Sequence, residues 1–302
     1  MQTGTQHLIA VGIPVFNGEQ WLEESLDSIL SQTFPDFEVF IADNASTDRT
    51  REICLRYANA DPRVRYHRHP RNLGALRNYN AVFEETHSQY FKWASCSDIC
   101  KPHLLERCLE VLETREDVVL AYAKTMLFST MGDVKQRYYQ NLNLEYDSPS
   151  HRFAVAADWL EGLNNAYNGV WRRSAMESLM PYRESRGYDI NFMLEMALRG
   201  KFVEVPEVLF HRRYETQSTG DLLAKSEQVS FFGADKVRYG RRERLARQLH
   251  RFTIPFRAPI SPAEKLRVGV ELLARLSWLG PALWRNVRSL ARRVVNKLAS
   301  LE

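Results

Sequence analysis

Two polar turns follow directly on two predicted strands near the start of the chain. The first turn ends an apolar run at residues 8–15, and the second follows an apolar run at residues 37–42. The turn residues are Pro14, Val15, Phe16 and Asn17 in the first, and Asp43, Asn44, Ala45 and Ser46 in the second. Ligands of open α/β sheets bind beyond the carboxyl ends of the strands, so both turns are expected to line one crevice. The Asp43 carboxylate can accept hydrogen bonds there from imide or hydroxyl groups, or it can cap its own turn.

The segments that position these turns alternate between residue patterns typical of strands and of helices. Residue periodicity and the turn residues between elements predict strands at residues 8–15, 37–42, 64–67, 90–94 and 118–125. Helical spacing and capping residues predict helices at residues 19–31, 44–58, 74–85 and 102–113. Strands that alternate with helices indicate an α/β fold with a mostly parallel sheet.

The composition is that of a soluble globular protein. The 302 residues are 44% hydrophobic and 26% charged, which allows one large α/β domain with a tail, or two domains. Reduced thiols in a cytosolic protein are expected for the four cysteines, Cys54, Cys96, Cys100 and Cys108. No leader-type segment and no apolar run of about 18 residues occurs, so no part of the sequence is expected to cross a membrane.

Charge divides the chain near residue 220. Residues 221–302 carry 17 Lys and Arg against 7 Asp and Glu, a net charge of +10, whereas the first 220 residues carry −6. Apolar residues recur at helical spacing in this basic extension, at Leu283, Val287, Leu290, Val294 and Leu298. Such a basic amphipathic helix can lie on an anionic membrane surface, or it can pack on its own domain or on a partner in a homodimer. No motif predicts nucleic-acid binding.

The two turns resemble the opening of the family 2 glycosyltransferases with the GT-A fold. In that family the first strand ends in Pro-x-[Tyr/Phe]-Asn and the second in Asp-[Asn/Asp]-x-Ser-x-Asp, which match residues 14–17 and 43–48. The resemblance implies a GT-A, Rossmann-like sheet and a nucleotide diphosphate sugar as donor, with UDP-sugars favoured. It also implies inverting transfer of a hexosyl or N-acetylhexosaminyl group to a carbohydrate or lipid-linked glycan acceptor, in bacterial polysaccharide or lipopolysaccharide synthesis.

The same resemblance implies a domain organisation and a location. A GT-A domain is expected at residues 1–220, with a nucleotide-binding half at 1–100 and an acceptor-side half at 101–220. A helical basic extension is expected at 221–302. The protein is expected to be cytoplasmic and, through the extension, peripheral on the inner face of the membrane.

A third motif extends the implied donor site. Residues 71–78 contain Asn-x-Gly-x-x-Arg-Asn, which resembles the family's Asn-x-Gly-x-x-x-Arg-Asn stretch with one residue fewer between the glycine and the arginine. The resemblance assigns Asn72, Gly74 and Arg77 to the nucleotide. The glycine admits a close backbone turn and the arginine faces the nucleotide. A solvated helix arginine is the alternative for Arg77.

The implied metal ligand lies at the end of the strand at residues 91–98. In the family this strand ends in Asp-x-Asp or His-Asp-Asp, and the last carboxylate helps to hold Mg or Mn on the diphosphate. Here Cys96 and Ser97 stand where acids are usual, and Asp98 alone keeps its carboxylate. Ser97 and Asp98 are therefore assigned to the sugar nucleotide and Asp98 to the metal. Capping of the next helix is the alternative for Asp98.

The resemblance also implies a general base and an acceptor side. Residues 186–194 look like the family's turn that opens a helix near the acceptor, which makes Asp189 the base that takes the acceptor proton. A helix cap is the alternative role for Asp189. The residues assigned to the acceptor or the diphosphate are Trp171, Arg172, His211, Arg213, Tyr214 and Gln217. A core position is the alternative for Trp171, and Tyr214 stands where the family has histidine.

Two other classes of function are weighed against the transferase. A nonenzymatic scaffold that has lost the metal site would explain the missing acids and histidine. A NAD-binding oxidoreductase would need a G-x-G-x-x-G turn after the first strand, and Gly12 and Gly18 are too far apart to form one.

Overall fold

The computed structural model of the chain describes residues 7–129, 136–137, 142–160, 164–182, 188–213 and 250–275. The chain divides into two compact units. Unit 1 comprises Met1–Asn143, Asn164–Glu184 and Phe202–Tyr239, and unit 2 comprises Leu144–Leu163, Ser185–Lys201 and Gly240–Glu302. The boundary predicted at residue 220 and the amphipathic helix predicted at 283–298 lie outside the described residues. The division into a domain with two halves and an extension stays a prediction.

The first half of the sheet in unit 1 is parallel. Its strands are β1 (Ile9–Val15), β2 (Phe37–Asp43), β3 (Val64–Arg68) and β4 (Tyr90–Trp93), in the order β3-β2-β1-β4. The register pairs Val15 with Asp43, so β1 and β2 end side by side. The two polar turns of the sequence begin at this shared edge.

The second half of the sheet contains antiparallel strands. They are β5 (Ile99–Cys100), β6 (Val118–Phe128), β7 (Gln136–Arg137), β8 (Val170–Arg172) and β9 (Lys201–Arg213). The sheet continues from β4 through β8, β6 and β9 to β5, and β7 pairs with β6. The described pairs β4–β8, β6–β8, β6–β7 and β5–β9 are antiparallel. The predicted α/β sheet flanked by helices is confirmed. Of the antiparallel strands, β5, β7 and β8 have only two or three residues, which is too few to show a periodic pattern.

The helices explain why β1 is an unbroken apolar run. They are α1 (Leu22–Leu30), α2 (Thr50–Ala60), α3 (Ala75–Glu84), α4 (Leu104–Thr114), α5 (Pro149–Trp159), α6 (Arg173–Met176), α7 (Tyr188–Arg199), α8 (Ile254–Arg257) and α9 (Pro262–Ala274). Six of the seven residues of β1 are buried, so both faces of this strand are covered. Helix α2 begins at Thr50 rather than near residue 44, because Ala45 has a φ of 61° that a right-handed helix does not contain.

Unit 2 is helical in the part that the structure describes. Ser148 and Ser261 cap α5 and α9, where their side chains accept from the backbone N–H groups of His151 and Glu264. In turn, the buried Glu264 carboxylate accepts from the backbone N–H of Ser150 at 2.6 Å, which ties α9 to the start of α5. Among the described helices of the chain, none is long and apolar enough to cross a membrane.

Candidate active site

The turns after β1 and β2 are locked together by reciprocal hydrogen bonds. The backbone N–H of Asn17 donates to Ser46 Oγ at 2.9 Å, and Asn17 Oδ1 accepts from the backbone N–H of Thr47 at 2.9 Å. The backbone N–H of Gly18 donates to Thr50 Oγ1 at 2.8 Å. Asn17 adopts a φ of 52°, which its short polar side chain tolerates better than most. The predicted crevice edge is therefore one braced surface formed by both turns.

The carboxylate of Asp43 is engaged inside this edge. Its side chain is fully buried, and Oδ1 accepts from the backbone N–H of Ser46 at 2.8 Å. Oδ2 accepts from the Tyr66 hydroxyl at 2.8 Å and lies 3.4 Å from Nε of Arg68. Burial, followed by this hydrogen bond, raises the pKa of Tyr66. Asp43 thus caps its own turn, and its contact with a nucleotide stays a prediction.

Asn78 joins the ends of β1 and β2, a role that the sequence did not predict. Its side-chain amide donates to the carbonyl oxygens of Val15 at 3.3 Å and Ala42 at 2.9 Å. Asn78 Oδ1 lies 3.1 Å from Nε2 of His69, and since Oδ1 can only accept, Nε2 carries the proton. Burial is the main cause that lowers the pKa of His69 and favours this neutral form. The signal available was the position of Asn78 directly after Arg77 in the third motif.

Replacement of Asn78 by Ala is expected to lower the free energy of unfolding by about 2–4 kcal/mol. The change leaves two buried carbonyl groups and one imidazole N–H without their partner. Chemical denaturation followed by circular dichroism measures the loss. The neighbouring Arg77→Ala is the matched control, because its side chain is exposed and its loss is expected to change stability by less than about 0.5 kcal/mol. A loss below about 1 kcal/mol for Asn78→Ala would contradict the bracing role.

The third motif forms a turn beside the crevice edge. Asn72 Oδ1 accepts from the Asn44 side-chain amide and from the backbone N–H of Gly74, both at 2.8 Å. Gly74 has a φ of 84°, which favours glycine, and it directly precedes α3. Arg77 lies on α3 with an exposed side chain. Asn72 and Gly74 therefore shape the turn, while Arg77 is accessible to a ligand.

Asp98 lies buried at the end of the turn after β4. It is 6% exposed, and its Oδ1 accepts from the backbone N–H of Arg213 at 3.0 Å. Burial is the largest cause that raises its pKa, and the positive charges of Arg212, Lys92 and Arg213 oppose that rise. The Asp98 carboxylate thus lies among three basic groups, and these basic groups can also pair with an anionic ligand.

The residues before Asp98 do not supply further acidic ligands. The Ser97 hydroxyl is 3.0 Å from the hydroxyl of Ser95, and both side chains are partly exposed. Burial raises the pKa of the Cys96 thiol to about 12. Cys96 is therefore protonated at neutral pH and is a poor metal ligand or nucleophile.

Arg213 fixes the strand end that faces Asp98. Its guanidinium lies 3.9 Å from the ring centroid of Trp21 and 4.4 Å from that of Phe128. Nε donates to the Ser97 carbonyl at 3.1 Å, and the Nη2 group forms an ion pair with Glu24. This side chain clamps β9 to the Asp98 turn, and its predicted diphosphate contact stays a prediction.

Comparison with known proteins decides the family. The model for glycosyl transferase family 2 matches residues 10–177, which is more than half of the chain. This chain is a family 2 glycosyltransferase. The match contains both crevice turns, the third motif, Asp98 and the strand β8.

Curated relatives of this glycosyltransferase carry glycosyltransferase names. Glycosyltransferase GlyG of Streptococcus pneumoniae serotype 4 is 30% identical over 175 residues, covering 58% of this chain and 54% of GlyG. The putative teichuronic acid biosynthesis glycosyltransferase TuaG of Bacillus subtilis is 31% identical over 113 residues, covering 37% of this chain and 45% of TuaG. The chain thus spans about half, or less, of the length of the curated relatives that it matches.

Solved structures share the GT-A fold with this glycosyltransferase. S. aureus TarS 1–349 in complex with UDP-GlcNAc superposes with a TM-score of 0.63 at 15% identity, covering 88% of this chain and 72% of TarS 1–349. The mannosyltransferase PcManGT of Pyrobaculum calidifontis, in complex with GDP-Man and Mn²⁺, gives 0.53 at 16% identity, covering 99% and 81%. The predicted GT-A fold is confirmed.

Asp98 is the predicted ligand of a divalent cation. In the described ranges, no group of three or more His, Cys, Asp or Glu side chains could hold a metal ion. Mg and Mn prefer oxygen ligands, and Mg is commonly held by one or two carboxylates together with substrate phosphates. Asp98 therefore fits a cation that arrives with a diphosphate, and does not form a metal site by itself.

Several predicted acceptor-side residues are engaged within unit 1. Trp171 is fully buried and donates from Nε1 to the Tyr167 carbonyl at 3.0 Å, which matches the core alternative. The Arg172 guanidinium donates to the carbonyls of Val118, Leu112 and Arg115, so it holds the C-terminal end of α4. Contact of either side chain with an acceptor stays a prediction.

The remaining predicted residues are placed as follows. His211 lies on β9, opposite Ile99 of β5, with its ring 6.4 Å from that of Phe128. Asp189 is the second residue of α7 and is partly exposed. Asp189 belongs to unit 2, whereas the crevice edge belongs to unit 1. Tyr214 and Gln217 lie outside the described residues.

Proposed function

We propose that this glycosyltransferase moves a hexosyl or N-acetylhexosaminyl group from a UDP-sugar to a carbohydrate or lipid-linked glycan, with inversion. The proposal is carried by the crevice edge, in which hydrogen bonds join the turns after β1 and β2. Asp98 lies among basic groups, and the chain belongs to glycosyl transferase family 2. The complexes of TarS with UDP-GlcNAc and with UDP support a UDP-sugar as donor.

The proposed donor site uses the residues of unit 1. The nucleotide would bind along the edge formed by Pro14, Val15, Phe16, Asn17, Asp43, Asn72, Gly74 and Arg77. Arg77 supplies an exposed guanidinium to an anionic ligand. A guanidinium group can donate two parallel hydrogen bonds to two oxygens of one phosphate group. Ser97 and Asp98 would lie at the diphosphate, with Arg213 and His211 on the neighbouring strand. Tyr214 and Gln217 would complete the diphosphate and acceptor side.

Asp98 would hold a divalent cation, Mg or Mn, in company with the diphosphate oxygens. The bound cation would offset the charge that accumulates on the leaving diphosphate. The complex of PcManGT with GDP-Man and Mn²⁺ supports this assignment. Asp98 would position the diphosphate through that cation, since a carboxylate alone repels phosphate oxygens.

Asp189 would act as the general base. In an inverting transfer the acceptor oxygen forms a bond to the anomeric carbon while the bond from that carbon to the diphosphate oxygen breaks. The electron pair of the broken bond leaves with the UDP, and the acceptor proton goes to the Asp189 carboxylate. Trp171 and Arg172 would support the acceptor side through the strand β8.

The proposed setting is polysaccharide assembly at the cytoplasmic face of a membrane. The name of TuaG supports cell-surface polysaccharide synthesis, and the net charge of +10 over residues 221–302 supports attraction to an anionic surface. Packing of the same extension against a second copy, in a homodimer, is the alternative. A peripheral position would bring the site to lipid-linked acceptors.

A scaffold that binds nucleotides without turnover is the second candidate. The single carboxylate at the predicted metal position favours it. Release of UDP from UDP-glucose and UDP-GlcNAc, measured with a coupled assay in the presence of Mn²⁺, separates the two candidates. Turnover that depends on enzyme concentration supports the transferase, and UDP binding without any release supports the scaffold.

A further inference from the structure

Two adjacent asparagines, the partly exposed Asn164 and the buried Asn165, carry buried amide atoms that make no hydrogen bond within the protein. Nδ2 and Oδ1 of Asn164 and Nδ2 of Asn165 are buried and make no hydrogen bond. Asn165 is 7% exposed. Most buried polar groups in folded proteins are hydrogen-bonded, and an unpaired one costs about 1–3 kcal/mol. Three such atoms on neighbouring residues can form hydrogen bonds with a group outside the protein.

The orientation of Asn165 is fixed by Arg212. Asn165 Oδ1 accepts from Arg212 Nη1 at 2.8 Å, and a guanidinium can only donate, so the unpaired atom is the amide nitrogen. Both the nitrogen and the oxygen of the Asn164 amide are unpaired, so a flip of this amide group would still leave one donor and one acceptor unpaired. The pair therefore offers two donors and one acceptor.

This pair lies next to the proposed diphosphate position. Asp98 Oδ1 accepts from the backbone N–H of Arg213 at 3.0 Å, and the side chain of Arg212, the preceding residue of β9, contacts Asn165 at 2.8 Å. Asn164, Asn165, Arg212 and Asp98 all belong to unit 1. A group bound to the asparagines would thus be close to whatever Asp98 holds.

The unpaired atoms, two donors and one acceptor, restrict which chemical groups can bind to the asparagines. Ionised phosphate oxygens only accept, so they cannot satisfy Asn164 Oδ1. Sugar hydroxyls both donate and accept, and they match all three atoms. We propose that Asn164 and Asn165 bind the hydroxyl groups of the transferred sugar and determine which sugar is accepted. The assignment rests on the proposed function and adds two specificity-determining residues to it.

Two variants test the assignment without removing a hydrogen bond seen in the structure. Asn164→Ala deletes the unpaired atoms of Asn164, and Asn165→Asp keeps the oxygen that accepts from Arg212 while it removes the unpaired donor. The affinities of the full chain for UDP, and for UDP-glucose or UDP-GlcNAc, are measured by calorimetry with Mn²⁺. Asn143→Ala is the matched control, because Asn143 Oδ1 is already satisfied by the backbone N–H of Glu204 at 3.0 Å.

The expected result is a selective loss of sugar affinity. Each variant is expected to bind the UDP-sugar about threefold to tenfold more weakly, while UDP affinity stays within about twofold. Asn164→Ala is also expected to unfold at the same temperature as the unaltered chain or higher, because it removes unsatisfied buried atoms. Asn143→Ala is expected to keep the ratio of the two affinities.

Three outcomes would overturn the assignment. Equal losses for UDP and the UDP-sugar would place the pair at the diphosphate, and no change for either would show that water alone fills the site. Unchanged donor affinity with a raised acceptor KM would assign the asparagines to the acceptor glycan instead. If the unaltered chain binds neither UDP nor UDP-sugars, the proposed function fails and this assignment fails with it.

Discussion

Replacement of Asp98 by Asn is expected to lower kcat/KM for the UDP-sugar by about 10²- to 10³-fold. The proposed role of Asp98 is to hold the cation and orient the diphosphate, and removal of one such electrostatic group typically has this effect. Asn keeps an oxygen that can accept from the backbone N–H of Arg213, so the turn keeps its shape. Steady-state UDP release measures the loss, and a change below about fivefold would contradict the role of Asp98.

The same substitution is expected to leave the ligand-free protein at least as stable as the unaltered chain. Burial raises the pKa of Asp98 in the folded state above its unfolded value of about 3.9. The folded state then binds more protons within that window, so stability is lost as the pH rises from the unfolded pKa to the folded pKa. Asn does not titrate, so thermal unfolding of Asp98→Asn at neutral pH is expected at the same or a higher temperature. A large drop in unfolding temperature would make the activity loss a folding defect.

Replacement of Asp189 by Asn is expected to lower kcat by about 10²- to 10⁴-fold, which is the usual contribution of a general base. UDP affinity is expected to remain unchanged, because the base acts on the acceptor and not on the donor. Asp189 lies in the first turn of α7, where loss of its negative charge costs only about 0.3–1 kcal/mol. The variant should therefore stay folded while turnover falls.

A charge-matched control separates catalysis from charge in the Asp189 experiment. Asp158 also belongs to unit 2, and its largely exposed carboxylate pairs with Arg275. Asp158→Asn removes the same charge and is expected to keep kcat within about twofold. Retention of more than a third of kcat by Asp189→Asn would assign Asp189 to capping alone and leave the base to another residue.

The fold could be predicted from the sequence because the central strands β1 and β2 are buried on both faces. Residues 8–15 form a continuous apolar run, and residues 37–42 are apolar except for Glu38. Each is followed by a polar turn, and this pattern is visible without any knowledge of tertiary contacts. Strands β5 and β8 have only two and three residues, so no periodicity could reveal them. Their place in the sheet depends on pairing with strands that are distant in the chain.

Side-chain roles at the site were harder to predict than its location. Asp43 has the position expected of a ligand contact, yet Tyr66 and Arg68 occupy its Oδ2, and neither is near Asp43 in the sequence. Asn78 reaches back 63 residues to Val15, a contact that no local pattern encodes. The unpaired amide nitrogen of Asn165 is likewise a property of packing, since such an asparagine looks like any other asparagine in the sequence.

The most direct test of the central claim is a calorimetric titration of the full chain with UDP, GDP and dTDP, each with and without Mn²⁺. The account predicts one-to-one binding of UDP that is about tenfold or more weaker in Arg77→Ala, because a charge-assisted contact is lost. Arg56→Ala, which removes an exposed arginine paired with Glu23 on the neighbouring helix, is expected to bind UDP as the unaltered chain does. A folded chain that binds none of the three nucleotides would contradict the account.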